Sequence, residues 1–133
     1  MKSPANDRPT LARRQRLLKT AEFRAVYGAR ARASDGRLVV YARPNGLDAT
    51  RLGLSVGRRV GGSVQRNRIK RLLREAFRHA RAEFPPGYDV VIVPLAGEYA
   101  LEEVARRLRT LVPQAVQRSA AARSGVSGKA AEP

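Results

Sequence analysis

This sequence predicts a small α+β domain, and three observations carry the prediction. Ser63–Arg81 and Ala100–Val112 repeat apolar residues at intervals of three and four, the period of a helix with one buried face. Arg37–Arg43 and Tyr88–Val93 are short, rich in valine and bounded by glycine, proline or asparagine, as strands are. The chain has 133 residues, the size of one domain around one core.

Taken in order, residues 1–10 carry two prolines and little to bury, and read as a disordered basic arm. The domain is expected over residues 11–118. Leu11–Leu18 is basic and reads as irregular. Thr20 is a fair N-cap, Glu22 suits a first turn and Gly28 is a stop signal, so a short helix lies between them with Phe23, Val26 and Tyr27 on one side. Gly28–Ser34 alternates small and basic residues, as a weak strand or an arm would.

In Arg37–Arg43, Leu38, Val40 and Ala42 point one way and Val39, Tyr41 and Arg43 the other. Pro44-Asn45-Gly46 marks a turn. Leu52–Arg58 reads as the next strand, with Leu52, Leu54 and Val56 on one face and Gly53, Ser55 and Gly57 on the other. A face without side chains fits either close approach of a ligand to the backbone or a tight bend.

The long helix Ser63–Arg81 ends at Phe84-Pro85-Pro86-Gly87. Tyr88–Val93 is apolar at nearly every position, which predicts a central strand. After a loop at Pro94–Gly97, Ala100–Val112 places Leu101, Val104, Ala105, Leu108 and Val112 on one side, and Pro113 ends or kinks that helix. From Ser119 onward, residues 119–133 read as a low-complexity flexible tail.

Charge narrows the partners. Twenty-seven Lys and Arg against eleven Asp and Glu give a formal net charge of +16, which repels itself and attracts polyanions, nucleic acid foremost. No run reaches the roughly 18–20 apolar residues of a membrane span, and no Trp is present to anchor an interfacial helix. There is no cysteine, and the N-terminus lacks the apolar segment of a secretory signal, so a cytoplasmic protein is expected.

At about 100° per residue, Ile69, Leu72, Leu73, Ala76, Phe77 and Ala80 form one stripe of the long helix. Arg66, Lys70, Arg71, Arg74, Arg78 and Arg81 gather on the opposing arc, with Asn67 among them and Arg68 to one side. Glu75 is the only acid between Arg58 and Arg81. A solvated helix face normally mixes signs, so this arc points to a polyanion. Gly57 and Gly62 have the spacing of a phosphate-binding P-loop, but Ser63-Val64 stands where Lys-Ser/Thr is required. The turn instead presents Arg58 and Arg59 beside the helix start. Phe23, Tyr27 and Tyr41 could stack on bases, and composition alone favours core for them. His79 has no partner motif, and the carboxylates fall in no acid–base or metal spacing, so neither a catalytic nor a metal site is expected on the protein.

Arg66–Arg78, RNRIKRLLREAFR, preceded by LGLSVGRRVGGSVQ, resembles the signature of the bacterial ribonuclease P protein family. LKTAEFRAVY, RLVVYARPN and YDVVIVPLAG extend the resemblance over about Leu17–Val112. It implies helix, three strands, helix, strand, helix around a mixed four-stranded sheet, with a left-handed crossover between the third and fourth strands, as in the second domain of ribosomal protein S5. It also implies a role. The family's protein binds a catalytic RNA, one to one, that with Mg²⁺ removes the 5′ leader of precursor tRNA by phosphodiester hydrolysis. The metal is held mainly by the RNA and its substrate, and no protein partner is implied.

By matching positions, Arg66, Asn67, Arg68, Lys70, Arg71 and Arg74 would face the RNA subunit, and Phe23, Tyr27, Tyr41, Arg58 and Arg59 would line the leader cleft. Pro113 departs from the family and could shorten its last helix. The use of Arg in most basic slots keeps the charge and adds planar stacking. The alternative is a non-enzymatic RNA-binding protein of the ribosome-associated or nucleoid kind.

Overall fold

In the computed structural model, which describes Arg16 and residues 20–124, the elements run α1 (Thr20–Gly28), β1 (Arg32–Ser34), β2 (Leu38–Pro44), β3 (Arg51–Leu54), α2 (Ser63–Ala80), β4 (Tyr88–Pro94) and α3 (Leu101–Ser124). Short 3-10 turns at Arg58–Val60 and Arg81–Glu83 flank α2. The strands form one mixed sheet in the order β1-β2-β4-β3. β1–β2 and β2–β4 are antiparallel, while β3 and β4 are parallel and joined through α2. This is the α+β architecture expected, with Tyr88–Val93 in a central strand.

The apolar run of β4 is explained by burial on both faces. Val90 and Ile92 join Leu38, Val40, Ala42 and Leu52 beneath α2 and α3, which contribute Ile69, Leu73, Phe77, Val104 and Leu108. Val91 points the other way, against Val26 of α1, with Phe23, Tyr27, Tyr41 and Val93 packed around the pair. The molecule is therefore layered: α1, then the sheet, then α2 with α3. The β2–β3 loop starts at Asn45, whose Oδ1 accepts a hydrogen bond from the Leu47 N–H at 2.8 Å, an Asx turn.

Two boundaries differ from those expected. The β3 ladder stops at Leu54, with one further bond from the Ser55 N–H to the Ile92 carbonyl, rather than reaching Arg58. The chain beyond it enters the 3-10 turn that buries Val60. The last helix continues through Pro113 to Ser124, so residues 119–124, expected in the tail, are helical. The reason is packing. Pro113 sits on the exposed side, and Ala115, Val116 and Ser119 continue the buried stripe beyond it. Arg118 also donates from Nη1 to the Arg32 carbonyl at 2.7 Å. That burial outweighs the backbone bond that a proline cannot make. The arm at residues 1–10 and the remainder of the tail lie outside the described residues, as does the segment 11–18 apart from Arg16, which bridges in parallel to Leu52.

Ion pairs tie α3 to the β1–β2 turn. Arg37 Nε meets Glu103 Oε2 at 2.8 Å, and Arg107 reaches Asp35 at 2.6 Å and Glu103 at 3.1 Å. Each is partly exposed and contributes little alone.

Phe77 is fully buried and packs on Phe84 with ring centroids 5.3 Å apart. Phe77→Ala should therefore cost about 3–5 kcal/mol in urea denaturation. Pro113→Ala restores a helix N–H on an exposed face and should stabilise by roughly 1–3 kcal/mol in the same measurement.

Candidate nucleic-acid interface

The start of α2 is fixed by two close backbone approaches. Gly61 has φ +144°, and a Cβ there would lie 2.7 Å from Gln65 Cγ. A Cβ on Gly97 would lie 2.9 Å from the Val60 carbonyl oxygen. Gln65 Nε2 donates to the Gly97 carbonyl, which pins the helix to the β4–α3 loop. With Val60 buried as an anchor, Arg58 and Arg59 are held out into solvent.

Along α2, Ile69, Leu73, Ala76, Phe77 and Ala80 face the core, and the basic arc divides over the remaining surface. Asn67 and Arg71 are exposed on the crest. Arg66, Lys70 and Arg74, four residues apart, form a half-buried flank. Burial pushes the Arg74 guanidinium below its ordinary pKa, and the nearby charges of Arg16 and Arg71 push it further. The buried Nε atoms of Arg16 and Arg66 have no hydrogen-bond acceptor. Arg68 is exposed on the opposite flank, beside Tyr99 and Leu101. Arg78 leaves the arc, because its Nη2 donates to Glu75. That bond, with weaker help from His79, holds the Glu75 carboxyl below the usual range.

Unpaired cations are most concentrated around α2, although Arg24, Arg30, Arg32, Arg43, Arg81 and Arg106 elsewhere also lack an acid partner in the described residues. Among the described residues, Arg37, Arg51, Arg78, Arg107 and Arg109 are paired with acids. None of Arg58, Arg59, Arg66, Arg68, Lys70, Arg71 and Arg74 is in such a pair. These unpaired cations are concentrated, and the Nε atoms of Arg66 and of neighbouring Arg16 lack acceptors, which is the donor chemistry that phosphate oxygens satisfy.

On the other face of the sheet, Tyr41, Val91 and Gly53 sit side by side across β2, β4 and β3. Tyr27 meets Tyr41 edge-on, with ring centroids 4.9 Å apart and planes at 79°. Phe23, Tyr27 and Tyr41 are all half-buried, seated on Val26 and Val91 with part of each ring still open. The expected bare glycine face is only partly available. Gly53 is buried where Arg16 runs beside Leu52, and the accessible stretch is Ser55–Arg59.

A clamp that sequence reasoning missed sets the position of α1. Asp89, 1% exposed, accepts from Arg51 Nε and Nη2 and from Asn45 Nδ2, each at 2.8 Å. Arg51 Nη1 also reaches Glu22 Oε2 of α1 at 3.1 Å. The signal was an acid opening an otherwise apolar strand. Among the described residues no three His, Asp or Glu side chains gather as a metal centre requires, and the buried acid is committed to its cation. The described residues do not fit a resident metal.

Residues 11–116 match the family model described as Ribonuclease P. The chain belongs to the ribonuclease P protein family. It is 37% identical over 108 residues to the ribonuclease P protein component of Shouchella clausii, covering 79% of this chain and 88% of that one. With the component of Caldanaerobacter subterraneus it shares 46% over 78 residues, 59% of this chain and 67% of the relative. The Staphylococcus aureus ribonuclease P protein superposes with TM-score 0.66 at 27% identity, covering 74% of this chain and 93% of that structure. The Thermotoga maritima protein superposes with TM-score 0.57 at 30% identity, covering 71% and 77%. The ribonuclease P protein is the subunit of an endoribonuclease that matures tRNA 5′ ends, and the free-standing binding protein is not favoured.

Asp89→Ala would leave Arg51 without its buried partner and should destabilise by about 3 kcal/mol. Glu22→Gln, at the half-buried end of the clamp, should cost about 1 kcal/mol or less in the same denaturation assay.

Proposed function

We propose that α2 docks on the catalytic RNA through Arg66, Asn67, Arg68, Lys70, Arg71 and Arg74, and that Phe23, Tyr27 and Tyr41, with Arg58 and Arg59, hold the single-stranded leader of precursor tRNA. The clustering of charge carries this reading: seven cations within residues 58–74 lie without an acid partner, whereas the paired acids of the described residues hold Arg37, Arg51, Arg78, Arg107 and Arg109. RNA phosphates would relieve the crowding around Arg74 and accept from the orphaned Nε of Arg66. The half-open rings offer stacking that every base can use, worth roughly 1–3 kcal/mol per base.

One basic arc fits one RNA per chain. Mg²⁺ belongs to the RNA and its substrate, and the protein's charge reduces the metal needed to hold them together. We place this assembly in the bacterial cytoplasm, where tRNA precursors are made.

The purified protein should cleave nothing alone and should restore precursor cleavage to the RNA at low Mg²⁺. An RNA that gains nothing from the protein at any Mg²⁺ concentration overturns the reading. Tyr41→Ala and Phe23→Ala should weaken leader-bearing precursor by about 5- to 100-fold while sparing mature tRNA. Equal loss on both would make these rings core residues.

A further inference from the structure

The far flank of α2 opens on a groove of about 680 Å³, between the helix and the β4–α3 loop, that the docking arc does not explain. Its floor is apolar, formed by Leu72, Tyr99 and Leu101 at the edge of the core. Arg68 and Arg71 stand on the α2 side, with Glu75 already paired to Arg78, and Glu98 stands on the loop side. The volume lies within the range of sites for single small ligands.

The loop wall is preorganised. The Tyr99 hydroxyl accepts from the Leu95 and Ala96 N–H groups at 3.2 and 3.0 Å and donates to the Arg37 carbonyl at 2.6 Å. The Arg37 guanidinium lies 4.6 Å from the Tyr99 ring centroid, and its Nη2 donates to the Glu98 carbonyl at 2.6 Å. The backbone of Glu98 is thus fixed, while its carboxylate makes no ion pair or hydrogen bond among the described residues.

A polar–apolar–polar groove with cations on one side and an acceptor on the other suits a nucleotide rather than a bare phosphate. Glu98 would repel a phosphate, yet it can accept two parallel N–H bonds. Of the four RNA bases, guanine alone presents two adjacent donors, N1–H and N2–H, on its pairing edge. We propose that this groove takes one unstacked guanine nucleotide of the catalytic RNA. Its base lies over Leu72, Tyr99 and Leu101, its pairing edge meets Glu98, and its phosphate meets Arg68 and Arg71. The inference rests on α2 docking against that RNA, and it moves Arg68 from a general phosphate contact to one half of a base site.

The test has a sign. Binding of the full chain to its ribonuclease P RNA is measured for wild type and Glu98→Gln. Loss of a bidentate base contact should weaken binding by roughly 5- to 150-fold. If Glu98 is only a solvated acid, removing its charge tightens binding or leaves it unchanged, and either result overturns the proposal. Arg66→Ala with Lys70→Ala, on the other flank, is the control. If that pair also leaves binding unchanged, the docking reading itself has failed. Because the chain has no cysteine, Ala100→Cys, exposed at the groove's rim, can carry a photo-crosslinker uniquely. It should mark one unpaired guanine. Crosslinks to paired or other bases, or none while Asn67→Cys crosslinks the same RNA, reject the groove as a base site.

Discussion

Burial of β4 on both faces is the constraint on which the rest depends. A strand with Val90 and Ile92 turned one way and Val91 the other cannot be satisfied by a single layer of helix. It requires α2 and α3 on one side and α1 on the other. Because β3 runs parallel to β4, the chain must cross between them, and that crossing is α2, the carrier of the basic arc. The helix with the basic arc is therefore also the connection that completes the sheet. Its core stripe, centred on Ile69, Leu73 and Phe77, is the reason its outer arc keeps a fixed orientation.

The polar structure follows a similar division. Asp89 opens β4 and holds Arg51, which in turn reaches Glu22, so one buried carboxylate couples the central strand to α1. That coupling sets where Phe23 and Tyr27 stand relative to Tyr41. Acids elsewhere pair with arginines on α3 and on the β1–β2 turn. The densest uncompensated charge is left on and before α2, away from these pairs, where like charges repel one another.

Much of the fold was legible in order and type, since Val-rich runs and three-and-four spacing report burial directly. Where boundaries moved, a non-local contact decided. Pro113 is a stop by local rules, yet Ala115, Val116 and Ser119 find sheet and core beneath them and the helix continues. The Leu52–Arg58 strand ends early because its neighbour β4 supplies hydrogen bonds only to Ser55. Among the site residues, the arc on α2 was readable because helical spacing alone fixes which residues share a face. The aromatics were not, because half-burial depends on what lies across the sheet.

The sequence by itself determined the alternation of elements, the excess of positive charge and the arc of Arg66–Arg74, because each depends on composition or on spacing along one helix. The tertiary structure decided which arginines are neutralised, since their acids lie far along the chain: Arg37 with Glu103, Arg51 with Asp89, Arg109 with Glu83. It also decided that the arc straddles two surfaces. Arg66, Lys70 and Arg74 lie on one flank, whereas Arg68 lies with Tyr99 and Leu101, and helix spacing cannot reveal what packs beside it.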